Sequence, residues 1–228
     1  MSIWIDLWGL LFPKYCVLCG ERLAKSEEYL CFQCLSKLPR VNRLTCQEME
    51  KNLWGKFPIE RAASFLYYTK GGDVRKLLYE LKYYHNPLIG RFLGRCMAAE
   101  LKPLGFFEGI DCIIPVPLHE KKFRKRGYNQ CELLAEGISL LTGCKVMQNV
   151  LFRSFDTETQ TRKGNYERWL NVKDVFTSIP IKELEGKHVL LVDDVFTTGA
   201  TIVACADVLK QTSGVRISVL TLALAGES

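Results

Sequence analysis

The sequence lacks any apolar run long enough to cross a bilayer, which excludes a spanning helix. It also lacks a secretory start. Residues Met1-Ser-Ile-Trp-Ile-Asp-Leu-Trp-Gly-Leu-Leu-Phe-Pro13 are apolar but carry Asp6, no basic residue and no small-residue cleavage site. The expectation is a short amphipathic helix that stops before Pro13 and packs on the protein. The missing basic residue speaks against a membrane-surface anchor. Internal repeats and low-complexity tracts are absent, which argues against a solenoid or a disordered chain. With no export signal, a reducing cytosol is expected, and so free or metal-bound thiols rather than disulfides.

What is present fits a soluble globular protein. A chain of 228 residues, 48% hydrophobic and 25% charged, has room for one large core or one core plus a small appendage. The net charge of +6 is modest, but Lys121, Lys122, Arg124, Lys125 and Arg126 crowd together and favour an anionic partner. Taken alone, such a cluster reads first as a solvated loop.

The most informative stretch is 188–201. Four apolar residues, Val189 to Val192, end in Asp193 and Asp194. Val195 and Phe196 follow, then a small hydroxyl-rich turn of Thr197, Thr198, Gly199, Ala200 and Thr201. Ile202, Cys205, Ala206 and Leu209 then recur at helical spacing. This predicts a buried strand, a loop and a helix start. Such a loop gathers unpaired backbone N–H groups at the positive end of the helix dipole and suits a phosphate. Two carboxylates beside it suit sugar hydroxyls or Mg²⁺.

This segment resembles the signature of the type I phosphoribosyltransferases, which bind phosphoribosyl pyrophosphate (PRPP). The resemblance implies that Asp193 and Asp194 contact the ribose hydroxyls and that Val195 to Thr201 wrap the 5-phosphate.

Ten cysteines include the pairs Cys16-x-x-Cys19 and Cys31-x-x-Cys34. Each pair can place two thiolates on one side of a tight turn, and two turns complete a tetrahedral sulfur shell for Zn²⁺. A disulfide framework and a redox pair are the rival readings; two pairs so close together favour structural zinc. Gly20 suits the first turn.

Between these landmarks strands and helices alternate. Strands are expected at 62–68, 110–114, 146–152, 188–192 and 215–223, and helices from Asp73, after Pro87, over 130–141 and over 200–213. Residues 119–129 are expected to be a basic loop. The pattern predicts an α/β fold: a mostly parallel sheet flanked by helices, with a small zinc-ribbon-like module in front. The division is placed at 1–58 and 59–228. Ligands gather at the carboxyl ends of such strands, so the ends of 110–114 and 188–192 should share one crevice.

The whole layout resembles the ComF family of competence-associated bacterial proteins. The likeness rests on the two C-x-x-C pairs, Leu81-Lys-Tyr83, Pro115-Val-Pro-Leu-His119, Arg126-Gly-Tyr-Asn-Gln130, Gln160-Thr-Arg162, Asn171 and 191–201. Tyr128 stands where many members carry Phe. The resemblance implies a type I phosphoribosyltransferase domain with an N-terminal zinc module, a cytoplasmic site of action and a link to DNA uptake. It further implies Mg²⁺ bound with PRPP, and pyrophosphate at the loop carrying Val116, Pro117, Arg124 and Arg126. The stretch 153–171, with Gln160, Thr161, Arg162, Arg168 and Asn171, is read either as a lid over the diphosphate or as a surface loop. His119 and Lys82 are open: each is an acid–base or binding candidate, with a structural histidine and a solvated cation as the simpler readings. The base would meet a hood formed by residues 40–60 and the zinc module. The competing function is a zinc protein that binds single-stranded DNA or a helicase partner and keeps the PRPP pocket as a sensor or relic.

Overall fold

The computed structural model describes residues 13–83, 87–153, 176–178 and 182–226. The expected helix over the first twelve residues lies outside them.

The described chain begins with the cysteine module. Tyr15 and Arg22 form an antiparallel bridge, and Gly20, with φ 76°, turns the chain between them. Helix α1 (Phe32–Lys37) follows, then α2 (Arg43–Leu53), capped by the Asn42 side chain, which accepts from Thr45 N–H at 2.9 Å. Next come β1 (Ala62–Tyr68), α3 (Asp73–Tyr83), α4 (Leu88–Leu101) and β2 (Cys112–Pro115). Then follow α5 (Glu120–Arg126), α6 (Gln130–Thr142), β3 (Lys145–Val146), β4 (Leu151–Arg153) and β5 (Phe176–Ser178). The chain closes with β6 (His188–Phe196), α7 (Ala200–Leu209) and β7 (Arg216–Ala225).

Five strands form one parallel sheet in the order β1-β7-β6-β2-β3. One apolar layer sets Leu77 and Leu81 of α3, Leu93 and Met97 of α4 and Leu134 of α6 against Ile113, Leu190, Val192 and Leu220. The other sets Met49 and Leu53 of α2 and Ile202 and Leu209 of α7 against Ile114, Val189, Leu191 and Val219. Each fully buried side chain of this kind contributes about 1.5–3 kcal/mol. The alternation along β6, with Leu190 and Val192 on one layer and Val189 and Leu191 on the other, is the period of two that a strand imposes. Cys16, Leu18, Leu23 and Leu30 join the first layer, so the cysteine module packs on the same core.

Helices α4 and α6 touch backbone to backbone. A Cβ on Gly94 would run into Leu134 O, and one on Gly137 into Arg91 O. Glycine at both positions is what allows the approach.

Three expectations need correction. The 119–129 stretch is a short helix, not a loop: His119 Nδ1 accepts from Lys121 N–H at 3.2 Å and Gly127, at φ 83°, ends it. The strand expected over 146–152 is two separate pieces. β3 joins the main sheet, while β4 pairs antiparallel with β5; Asn149, at φ 58°, breaks the extended run between them. Finally, β6 does not stop at Val192 but runs to Phe196, pairing Asp193 with Thr221 and Phe196 with Leu224 of β7.

Candidate functional site

Strands β2 and β6 are neighbours, but the chain leaves them in opposite directions across the sheet, β2 toward β3 and β6 toward β7. A crevice opens at the carboxyl ends of two strands so arranged. Here it is a cleft of about 450 Å³. Val116 and Pro117 border it after β2, Asp193, Asp194 and Val195 from β6, and Thr201 from α7. Lys122, Lys125 and Arg126 reach it from α5, and Lys82 and Tyr83 from α3. The crevice expected at these two strand ends is therefore present.

Because β6 continues through the acidic pair, its two carboxylates turn to opposite faces of the sheet. Asp194 faces α3 and α6: Lys82 Nζ lies 2.8 Å from its Oδ2, and Gln130 Nε2 donates to the same oxygen at 2.7 Å. Arg126 Nη1 in turn donates to Gln130 Oε1. Asp193 is held beside the next residue of the same helix: Cys131 Sγ donates to its Oδ1 at 3.4 Å and the backbone N–H of Asp194 does so at 2.8 Å. Burial pushes the Asp193 carboxyl up to about 7, and the neighbouring charge of Asp194 adds to the effect.

The turn after β6 is shorter than the sequence suggested. Val195 and Phe196 belong to the strand, and Phe196 is buried in the core. Gly199, at φ 77°, starts α7, and Leu53 and Phe196 crowd the space where a Cβ would sit. Thr201 faces the cleft, whereas Thr197 borders a separate cavity beside α2. Ala200 N–H donates to Thr198 Oγ1 at 3.4 Å.

Arg124 is not with the other cations. It is largely exposed and pairs with Glu120 one turn earlier. Lys122, Lys125 and Arg126 stand three and four residues apart and so share a helix face; Arg124 falls off it. Lys82, whose simpler reading was a solvated cation, is partly buried and held by Asp194. Gln130 is a site residue that site reasoning missed; its place in the Arg126–Gln130 stretch was the only signal. Tyr128 donates its hydroxyl to Leu81 O at 2.8 Å, tying the α5–α6 junction to α3. Asn129 caps α6 through Cys131 N–H at 3.1 Å and donates to Val116 O at 3.0 Å, which fixes the segment after β2. Gln160, Thr161, Arg162, Arg168 and Asn171 lie outside the described residues.

The four N-terminal cysteines converge. The sulfur atoms of Cys16, Cys19, Cys31 and Cys34 all lie within 4.8 Å of one another. Cys19 and Cys31 sulfurs stand 3.8 Å apart. That matches the edge of a tetrahedron whose Zn–S bonds are about 2.3 Å long. Burial works against a thiolate at Cys16, but backbone N–H groups of Cys19, Cys31 and Leu18 outweigh it and bring the thiol down to about 7. Cys31 also accepts from Cys34 N–H at the start of α1, so the second turn is set by a helix cap. The donor set fits structural zinc and, with four protein sulfurs, leaves no place for a substrate.

Residues 7–62 match the double zinc ribbon domain and residues 138–228 the phosphoribosyl transferase domain. The chain is 28% identical over 227 residues to the DNA utilization protein YhgH of Escherichia coli, covering 97% of this chain and 93% of that one. It is 28% identical over 218 residues to competence protein F of Haemophilus influenzae, covering 94% and 86%. Over 111 residues it is 31% identical to competence protein ComFC of Bacillus subtilis, covering 48% and 43%. The chain thus joins a stretch that matches the double zinc ribbon domain to one that matches the phosphoribosyl transferase domain, and it is similar along nearly its whole length to competence protein F.

Proposed function

We propose that the cleft binds PRPP with Mg²⁺ and that the protein is a phosphoribosyltransferase. The observation that carries this reading is one cleft bordered by the Asp193–Asp194 strand tip, three cations of α5 and the start of α7. Those groups answer the hydroxyls, the diphosphate and the 5-phosphate of one ligand. Thr201 and the first amides of α7 face the 5-phosphate. Asp194, steadied by Gln130 and Lys82, accepts from the ribose hydroxyls. Lys122, Lys125 and Arg126 take the diphosphate as it leaves the anomeric carbon and stabilise the charge that develops on it. Mg²⁺, when bound with PRPP, supplies further neutralisation of that diphosphate. Asp193 lies beneath the tip and holds it through the Asp194 N–H. The site of action is read as cytoplasmic, where thiols stay reduced.

PRPP with Mg²⁺ should raise the melting temperature by linkage. Asp194→Ala should abolish the shift. No shift at millimolar ligand in the native protein would reject the site. Isotope exchange between pyrophosphate and PRPP, or base-dependent turnover, then separates an enzyme from a sensor.

One observation favours the second reading, a binder of single-stranded DNA. Arg75 lies over Tyr79, Tyr79 packs on Tyr83 with ring centroids 5.3 Å apart, and Arg126 lies over Tyr83. This ladder climbs the exposed side of α3 to the mouth of the cleft, beside the cations of α5. Aromatic and basic groups so interleaved suit stacked bases and their phosphates. The names of the relatives, a DNA utilization protein and two competence proteins, point the same way. Salt-dependent oligonucleotide binding that survives Asp194→Ala but not Tyr79→Ala with Tyr83→Ala would support this reading; no binding at low salt would reject it.

A further inference from the structure

Arg153 borders the cleft, yet it is not among the groups assigned to PRPP. It comes not from α5 but from β4, whose partner β5 packs against α7. Its guanidinium carbon lies over the Phe176 ring of β5, 5.4 Å from the centroid. A ring attracts such a charge without neutralising it. No carboxylate among the described residues pairs with Arg153, and its Nε is sealed from solvent with no hydrogen-bond partner. Nε is its one nitrogen in that state. The two Nη nitrogens keep their access, and an anion in the cleft can meet both as a fork.

Other arginines and lysines of this region are already engaged, Lys82 with Asp194 and Arg124 with Glu120. A partly buried arginine is always charged and is normally paired. Here the counter-charge is left to a ligand. The place of Arg153 says which anion. Its charge acts on the buried Cys205 thiol of α7, against the upward push of burial. Cys205 and Thr201 stand four residues apart and share a face of that helix, and Thr201 faces the cleft. Arg153 therefore stands beside the end of α7 that carries Thr201.

We propose that Arg153 is the cation of the terminal phosphate seat: its Nη fork and Thr201 together grip the 5-phosphate of a pentose, and the cleft selects a phosphorylated sugar through that fork. This rests on the phosphoribosyl reading of the cleft. A phosphate monoester carries about 1.5 to 2 negative charges at pH 7. A helix N-terminus offers about half a positive charge. The amides of α7 alone leave most of the phosphate charge unmatched; Arg153 offsets much of the rest and leaves the α5 cations for the diphosphate.

Calorimetric titration of the zinc-loaded full chain tests this with two probes, ribose 5-phosphate and, separately, inorganic pyrophosphate with Mg²⁺. Arg153→Met should weaken ribose 5-phosphate by about tenfold or more. Pyrophosphate should stay within about twofold of its native affinity. Lys122→Met should do the reverse. Arg153→Lys keeps a charge and a stem over Phe176 but loses the fork, so it should weaken ribose 5-phosphate alone, and by less. That variant decides the matter if Arg153→Met does not fold. Equal losses for both probes would make the arginine a structural strut on Phe176 and overturn the proposal. A loss for pyrophosphate alone, or for neither, overturns it too. If the native protein binds pyrophosphate but not ribose 5-phosphate, the phosphate seat fails while the diphosphate half of the reading stands. If it binds neither, the phosphoribosyl reading is rejected and the role of Arg153 with it.

Discussion

Lys82 Nζ stands 2.8 Å from Asp194 Oδ2, and that contact joins α3 to the tip of β6 at the centre of the cleft. Gln130 brings α6 to the same oxygen at 2.7 Å, and Arg126 brings the end of α5 to Gln130. Two helices thus meet on one carboxylate, and a third backs them through Gln130. The contact fixes the direction of Asp194 before any ligand arrives, which is how a binding group is preorganised. It also places a lysine ammonium at the cleft, where a diphosphate can exchange with the carboxylate as its partner.

Lys82→Met should leave Asp194 with one of its two side-chain donors. A buried acceptor that loses a partner costs about 1–3 kcal/mol. Urea unfolding should show a loss of that size, together with weaker PRPP–Mg²⁺ binding. An unchanged midpoint would mean that the pair is solvated and contributes nothing.

Asp193 predicts a pH dependence. Burial holds its carboxyl up at about 7 in the folded protein, against 3.8 for the free side chain. Between these values the folded state binds more protons than the unfolded one. Stability contributed by this group therefore falls as pH rises from about 4 to about 7, and levels off above that. Asp193→Asn should flatten the fall and leave the ligand-free protein more stable than the native one at about pH 8. Urea midpoints across this window are the measurement; an identical slope in the variant refutes the assignment.

The cysteine shell predicts one zinc per chain, because the described residues hold one four-cysteine cluster. Elemental analysis should find one equivalent. Chelation or Cys31→Ser should release it and lower the melting temperature, since a module this small draws much of its folding energy from the metal. Two equivalents, or none, would contradict the geometry.

Tyr128→Phe removes the hydroxyl that donates to Leu81 O at 2.8 Å. The expected cost is about 0.5–1.5 kcal/mol. It should appear in thermal unfolding and, because Leu81 precedes Lys82, as weaker PRPP binding. A variant equal to the native protein in both would make the bond incidental.

Much of this was legible in the sequence where the signal is local. Val74, Leu77, Leu78 and Leu81 recur at helical spacing, and all four are buried along α3. The strand at Ala62–Tyr68 ran from its first to its last expected residue. The two C-x-x-C pairs announced their convergence because each ligand pair sits in its own turn. The 119–129 stretch was misread because a run of cations looks solvated in any conformation. What made it helical was a histidine cap at one end and a glycine at the other. The split of Asp193 and Asp194 was missed because hydrophobic patterning stops at Val192, while the pairing of β6 with β7 does not.

The sequence by itself determined the layers, the parallel strands, the cysteine shell and the carboxylates and cations near two strand ends. These follow from residue type at short spacing, where periodicity and turn chemistry act. Only the tertiary structure decided that Lys82 and Gln130 share one oxygen of Asp194, and that Arg124 turns to Glu120 while Lys122 and Arg126 face the cleft. Those contacts join residues far apart in the chain, and their geometry is set by how helices seat on the sheet, which short spacing does not encode.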